Sequence, residues 1–408
     1  MSVQTETTES TNTNRTLSFL SGQLSPVEVA KIERELASLW NLSGSEHESG
    51  DGSGKPAYVI KSCALNFVLL AKASPANSEQ SLDNLLAEIT LRHPMRAILS
   101  MVEEEDDAAE PRIEAWVSAR CHFLPGRLDK QMCCEQITVS WQGQKFKPES
   151  LASVITPLVI PDLPSWLFLP GSTISMQSLS PFLPYFDHVL LDSRSATFDA
   201  EKLGQFQFIE EWAGRVIFID LAWLILQPWR RALAFAFDEK DVSLSKECLS
   251  TLDTITIRCG PDGGLLQSLL LTSWLTRRLS FQFQKLTETE TGYKVEFSGK
   301  FAPLTVQIEK GDGSARTGIS SVDVSFHQLG CCKLEESLKV TFSQGALSVC
   351  YKDKCEFVEL PYCPELLTGT TSECGMSELV DDALEHTQQD AYYLEAVSGL
   401  LEMFQGRG

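Results

Sequence analysis

Positive charge is scarce in this sequence: 34 Lys and Arg stand against 55 Asp and Glu, a formal net charge of −21 at pH 7. A surface of that sign repels phosphate backbones and anionic lipid, which argues against nucleic acid or a membrane surface as partner. Long apolar runs are missing as well. The most apolar stretch, Val216 to Phe237, is broken by Asp220, Gln227, Pro228, Arg230 and Arg231. Charges at that depth are costly in lipid, so the stretch reads as buried helix. Residues 1–14 contain no Lys or Arg, carry Glu6 and Glu9, and hold no apolar core, unlike a signal or transit peptide. The expected location is cytoplasmic, where the 12 cysteines would be thiols rather than a disulfide scaffold.

The residue patterns of catalysis are equally scarce. No Ser lies in G-x-S-x-G, the elbow that presents a nucleophile to its base. The six histidines, at 47, 93, 122, 188, 327 and 386, include no i, i+4 pair, the spacing of a metal-binding helix. C-x-x-C is absent, so a zinc shell would have to be assembled from distant segments. CGPDGG at 259–264 precedes an expected helix but is neither a Walker loop nor G-x-G-x-x-G, and it reads as a turn. No catalytic residue, metal or cofactor is expected.

What is present is enough apolar material to fold: 43% of 408 residues, suited to a globular chain of two domains. Residues 1–24 read as disordered, 25–240 as an N-terminal α/β domain and 250–408 as a smaller α+β domain, divided in the polar stretch 238–250. In the first domain Val29, Ile32 and Leu36 recur at helical spacing, 57–72 reads as a strand, and the stripe Leu82, Leu85, Leu86 and Ile89 stops before Pro94. Met95–Val102 reads as a strand. Ile113–Val117 and Ile137–Trp141 alternate apolar and polar residues as half-exposed strands do. WLFL at 166–169 and HVLL at 188–191 are continuous runs, suited to strands covered on both faces of a mixed sheet. Helices fill 201–237. In the second domain a strand at 252–258 and a helix at 263–281 precede at least four short strands between 293 and 358, read as an antiparallel sheet. A terminal helix over 377–404, capped by Ser377, follows. From residue 371 onward there are eight acids and one Arg, so its outer face is negative.

Several residues invite a functional reading. Arg92, His93 and Arg96 in RHPMRA place cationic groups at a helix-to-strand junction, where an anion or a partner's carboxylate could dock, or where they simply face the helix dipole. Asp162 and Asp192 sit at the edges of expected core strands, and α/β sites gather at strand C-termini. The vicinal pairs Cys133-Cys134 and Cys331-Cys332 point to opposite faces if they lie in strands, so neither bridges to itself. Cys350, Cys355, Cys363 and Cys374 fall within one short, acidic region and form a candidate redox group.

KIERELASLW at 31–40, RHPMRAI at 92–98, CCEQITV at 133–139, LVIPDLPSWLFLPG at 158–171, FDHVLLDS at 186–193 and DLAWLILQPWRRALAFAFD at 220–238 together resemble the OpcA family of glucose-6-phosphate dehydrogenase assembly proteins. The resemblance implies a non-catalytic protein that binds glucose-6-phosphate dehydrogenase and promotes its active oligomer, feeding NADPH production in the oxidative pentose phosphate route. It also implies that activation can be coupled to thiol redox state, with thioredoxin as a candidate second partner. Docking needs a few aromatic and Arg anchors, for which Trp166, Trp223, Trp229 and Arg230 join Arg92 and His93 as candidates. Two other readings compete: a sugar-phosphate-binding enzyme using Asp162, Asp192, Arg92 and Arg96, and a scaffold for some other metabolic protein.

Overall fold

The structure is a computed structural model and describes residues 15–16, 29–43, 58–75, 77–104, 111–124, 127–143, 145–171, 174–194, 198–238, 251–261, 263–311, 318–326, 337–343, 346–351, 354–358 and 375–405. The chain forms two compact units, Met1–Leu191 and Asp192–Gly408. The sequence reading divides the chain later, in a stretch whose residues 239–250 lie outside the described set. Nearly all of the expected disordered segment 1–24 lies outside it too.

The first unit comprises β1 (Arg15–Thr16), α1 (Val29–Ser43), β2 (Tyr58–Lys61), β3 (Leu65–Lys72), α2 (Glu79–Arg92), β4 (Met95–Glu104), β5 (Arg112–Leu124), β6 (Arg127–Gly143), α3 (Pro148–Ile155), β7 (Ser165–Leu169) and β8 (His188–Leu191). Its sheet runs β1-β5-β6-β4-β3-β7-β8, with β2 beside β6. The pairs β2–β6, β6–β4, β4–β3, β3–β7 and β7–β8 are parallel, and β1–β5 and β5–β6 are antiparallel. This is the mixed α/β sheet that the continuous apolar runs predict: β7 and β8 are buried at every residue, and β3 at all but its two ends. Strands of a parallel sheet covered on both faces need such runs. The single strand expected over 57–72 is two, because β2 pairs with β6 while β3 pairs with β4 and β7. Ser78 caps α2 by accepting from the Ser81 N–H, and the helix ends at Arg92 with His93 already extended before Pro94. The turn from β3 into α2 contains no glycine; buried Asn77 sits in it and donates Nδ2 to the Pro170 carbonyl at 3.1 Å.

The second unit comprises α4 (Ala200–Trp212), β9 (Ile217–Asp220), α5 (Leu221–Ile225), α6 (Gln227–Asp238), β10 (Leu252–Cys259), α7 (Leu265–Arg278), β11 (Gln282–Thr289), β12 (Gly292–Ser298), β13 (Leu304–Lys310), β14 (Ile319–Phe326), β15 (Ser337–Ser343), β16 (Ala346–Tyr351), β17 (Lys354–Val358), α8 (Met376–Glu385) and α9 (Ala391–Gln405). Among the described residues its sheet has eight strands, in the order β11-β12-β13-β10-β14-β15-β16-β17. Only β10–β13 is parallel; the other pairs are antiparallel, as expected. Leu252, Ile255, Ile257 and Cys259 of β10 are buried under α7, and α9 packs on α7. Among the described residues no helix is long and apolar enough to cross a membrane.

Three features depart from the sequence reading. The helical region 201–237 is interrupted by β9, a four-residue strand too short to show a period of its own. β11 is almost wholly exposed, so it carries no apolar alternation to reveal it. The terminal helix is two, and Ser377 is not its cap: Gly375, at φ 98°, precedes α8, while Asp390 Oδ1 accepts the Tyr392 and Tyr393 N–H groups at 2.8 and 3.3 Å to start α9. Of CGPDGG, Cys259 ends β10, Pro261 lies in a turn, and Asp262 lies outside the described residues. Gly264 holds φ +87°, and a Cβ there would sit 2.7 Å from the Gly318 carbonyl oxygen, so only glycine fits where α7 begins.

Gly399 lets α9 approach α7: a Cβ would collide with Ser273 Oγ, which donates to the Ala396 carbonyl at 2.7 Å, and crowd Arg277 Nε at 3.0 Å. Gly399→Ala is expected to cost about 1–3 kcal/mol through overpacking, against roughly 0.5 kcal/mol or less for the half-exposed neighbouring change Ser398→Ala. Urea titration of both variants checks the contrast, and equal midpoints would refute the close-approach account.

Candidate functional site

The second unit holds a buried polar cluster around Asp220, the last residue of β9 and the N-cap of α5. Its Oδ1 accepts the Ala222 N–H at 3.0 Å and the Ser193 N–H at 3.2 Å, and its Oδ2 accepts Ser193 Oγ at 2.6 Å and the Tyr393 hydroxyl at 3.1 Å. Asp220 is 1% exposed. Burial pushes its carboxyl up to about 6, against the opposing pull of the Ser193 and Ala222 hydrogen bonds. Lys202 Nζ donates to the Ser193 carbonyl at 3.4 Å, and burial lowers its pKa despite Asp220 and Asp192 nearby. Asp192 is gripped at both oxygens by Arg194, at 2.8 and 2.6 Å. Burial would raise that carboxyl, but the charge and hydrogen bonds of Arg194 outweigh it and hold it below the usual range.

Beside this cluster opens a cavity of about 680 Å³, between α5 and α6, the end of α7 and the α8–α9 connection. Asp220 and Tyr393 line it, as do Trp223, Trp274, Arg230 and Arg278. Trp223 Nε1 donates to Asp390 Oδ2 at 2.7 Å, and the Arg230 guanidinium lies 3.7 Å over the Trp223 ring, with Nη1 4.0 Å from Asp390. Arg278 lies 4.7 Å over Tyr392 and bonds Glu395 at 3.2 Å. Gln389 clamps the backbone of Phe218, accepting its N–H at 2.9 Å and donating to its carbonyl at 3.2 Å. His386 titrates above its ordinary value because it bonds Asp382. Among the described residues no group of three or more His, Cys, Asp or Glu is placed to hold a metal.

In the first unit the charged centre is Glu135, 2% exposed on β6. It accepts Arg96 Nε at 2.8 Å and Trp40 Nε1 at 2.7 Å, and pairs with Lys61. Arg96 Nη1 also reaches Glu33 Oε1 at 2.7 Å and the Leu158 carbonyl at 2.9 Å. A second buried set joins Arg120, Asp83 and Gln136, the Gln136 amide donating to Asp83 Oδ1 at 2.9 Å. Arg96 is thereby committed inside the fold, which removes it from the anion-binding role considered for RHPMRA. Arg92 is exposed at the end of α2 and His93 is half-buried. Asp162 is exposed in a turn at φ 65°. Trp166 is buried and stacks on His188 with centroids 4.1 Å apart, and Trp229 is buried on α6. Of the second unit's candidates, the fold brings Trp223 and Arg230 into one site and sets Asp192 in the adjoining buried cluster.

Residues 86–207 match the family described as the N-terminal domain of the glucose-6-phosphate dehydrogenase subunit, and residues 217–397 match the family described as its C-terminal domain. The chain belongs to the OpcA family. Among solved structures it is similar, at 9% identity and a TM-score of 0.43, to glucose-6-phosphate 1-dehydrogenase from Mycobacterium avium, over 85% of this chain and 93% of that one. A Thermotoga maritima protein proposed to be an oxidoreductase gives 9% identity and a TM-score of 0.40, over 84% of this chain and 99% of that one. None of the curated proteins compared matches the chain.

The stretches that carried the OpcA resemblance in the sequence turn out to bond one another. Glu33 and Trp40 of KIERELASLW, Arg96 of RHPMRAI, Glu135 of CCEQITV and the Leu158 carbonyl of LVIPDLP form one network. Within FDHVLLDS and its partner strand, Ser165 N and Oγ both donate to Asp187 Oδ2, at 2.9 and 2.8 Å. Asp220, Asp390 and Tyr393 carry no motif in the sequence; the lone Asp before LAWL is the one signal, and in sequence it reads as an interruption of an apolar stretch. Thiols are expected from the sequence, whereas among the described residues the structure has two disulfides, Cys121–Cys133 and Cys350–Cys355. In each the two cysteines are direct cross-strand partners, β5 to β6 and β16 to β17, a relation that only strand register reveals. Cys134 stays a buried thiol, its pKa pushed up by burial. Cys363 and Cys374 lie outside the described residues.

Glu135→Ala leaves Arg96 buried without its main counter-charge and is expected to cost about 3–5 kcal/mol; denaturant titration measures it, and a cost near zero would refute the network's role. For Asp220, the folded-state pKa of about 6 lies above the reference 3.8. Its protonated form therefore contributes stability that is fully present below pH 3.8 and is lost as pH rises through 6. The difference amounts to about 3 kcal/mol. Asp220→Asn cannot titrate, so its stability relative to the parent should improve by about that amount between roughly pH 4 and 7. A pH-independent difference would show that Asp220 is ionised throughout.

Proposed function

We propose that the chain is a non-catalytic assembly factor that binds glucose-6-phosphate dehydrogenase in the cytoplasm and promotes its active oligomer in the oxidative pentose phosphate pathway. The observation that carries this reading is the pair of OpcA-family matches spanning most of the chain. The absence of a nucleophilic elbow or phosphate loop in the sequence agrees with it. An activator acts by binding the active state of its target more tightly than the inactive one; a hundredfold shift needs about 2.7 kcal/mol of differential binding. An interface of ordinary size with a few anchors supplies that. Arg92, His93 and Asp162 on the first unit, and Arg230 on the second, are the part-exposed candidates.

Thiol control is part of the proposal. Cys350 and Cys355 bridge adjacent strands, and Cys355 is exposed, so a dithiol reductant such as thioredoxin can reach the pair. Cys363 and Cys374 are the candidate exchange partners.

Added in increasing amounts to glucose-6-phosphate dehydrogenase of the same source, the chain is expected to raise NADPH formation saturably while the dehydrogenase shifts to a larger mass. Reductant should change the half-saturating concentration, and Cys350→Ser should abolish that dependence. An unchanged rate and mass at micromolar excess would overturn the assembly role; activation insensitive to reductant would overturn the thiol control alone.

A further inference from the structure

The cavity beside Trp223 has a chemistry that the assembly role does not require. Three arginines, Arg230, Arg231 and Arg278, line about 680 Å³ in a chain whose net charge is −21. Two carboxyls line it with them. Asp390 accepts from Trp223 and two backbone N–H groups and lies 4.0 Å from Arg230, Arg278 bonds Glu395 at 3.2 Å, and Asp220 lies buried under four donated hydrogen bonds. Cationic side chains gathered at one concave place in an acidic protein mark it for an anion.

Two of the guanidinium groups are also held in advance: that of Arg230 lies 3.7 Å from the centroid of the Trp223 ring and that of Arg278 lies 4.7 Å from the centroid of the Tyr392 ring. A stacked guanidinium keeps its plane and donates along its N–H edge, so gripping a phosphate costs less side-chain entropy than it would for a mobile lysine. Trp274 and Tyr393 add further ring surface, and the volume lies in the roughly 300–1,000 Å³ range of small-molecule sites. A divalent cation would meet the arginines' repulsion, and an apolar ligand would strip water from them without replacing it. A ligand carrying both a phosphate and a flat ring satisfies both halves of the lining.

We propose that this cavity binds a nucleoside phosphate, its base against the aromatic side chains and its phosphate on the arginines. The inference stands apart from the assembly role, because it is tested on the full chain alone. By isothermal titration calorimetry, AMP should bind saturably at one per chain, and adenosine and inorganic phosphate should each bind more weakly by about tenfold or more. Arg231→Ala combined with Arg278→Ala, both at exposed positions, should weaken AMP by about tenfold or more with an unchanged urea midpoint. Should that double variant lose its folded baseline, Arg231→Glu alone carries the same expectation. No saturation by AMP up to about 5 mM, equal binding of AMP and phosphate, or full AMP affinity in the arginine variants would each overturn the proposal. So would an acidic peptide that binds the cavity where AMP does not, which would make it a docking groove for a protein.

Discussion

A carboxylate cannot be taken out of water alone, and Glu135 shows what that constraint organises. Placed on β6 at 2% exposure, it requires positive charge and N–H donors at close range. Those come from three separate stretches of chain, Lys61 of β2, Arg96 of β4 and Trp40 of α1, and Arg96 in turn donates to Glu33 of α1 and to the Leu158 carbonyl. Apolar burial is non-directional, whereas the bonds from Trp40 and Glu33 into the Glu135–Arg96 cluster tie α1 to particular partners on the sheet. The buried Arg120–Asp83–Gln136 set does the same for α2.

The second unit uses the same device with fewer charges. Asp220 gathers the Ser193 segment, the start of α5 and Tyr393 of α9 around one carboxyl, and hydrogen-bond donors replace the cations that serve Glu135. Without a full counter-charge, burial wins, and the carboxyl prefers its proton up to about pH 6. The corner so built holds Trp223 and Asp390 in place. These in turn hold Arg230, so the cavity's shape depends on a residue at its edge.

The parallel core was legible because continuous apolar runs such as WLFL and HVLL have few other uses at that length. In the second sheet β12 and β13 alternate buried and half-exposed residues, whereas the exposed QFQKLTET of β11 gives no contrast between faces. Site residues were harder to see. Trp223 and Arg230 lie seven apart on consecutive helices and could be guessed, but Asp390, which joins them, is 160 residues further on. Their meeting depends on tertiary placement. Trp166 and Trp229 illustrate the converse: an indole in an apolar run gives no sign of whether it faces a partner or the core, and here both are buried. The disulfides were hidden for a related reason, since opposition across a strand pair depends on register, which one sequence fixes only loosely.

One of those disulfides has a mechanical consequence. Among the described strands β17 is the outer one of its sheet, and an outer strand held only by its hydrogen bonds can be peeled away one bond at a time. The Cys350–Cys355 link crosses from β17 to β16 near the tip of their hairpin, so tension applied to the chain beyond Val358 can unzip the strand only as far as Cys355, where the load passes to a covalent bond. Reduction would convert that clasp into an open zip, which makes the sheet's edge a part of the molecule whose grip is set by electrons rather than by packing.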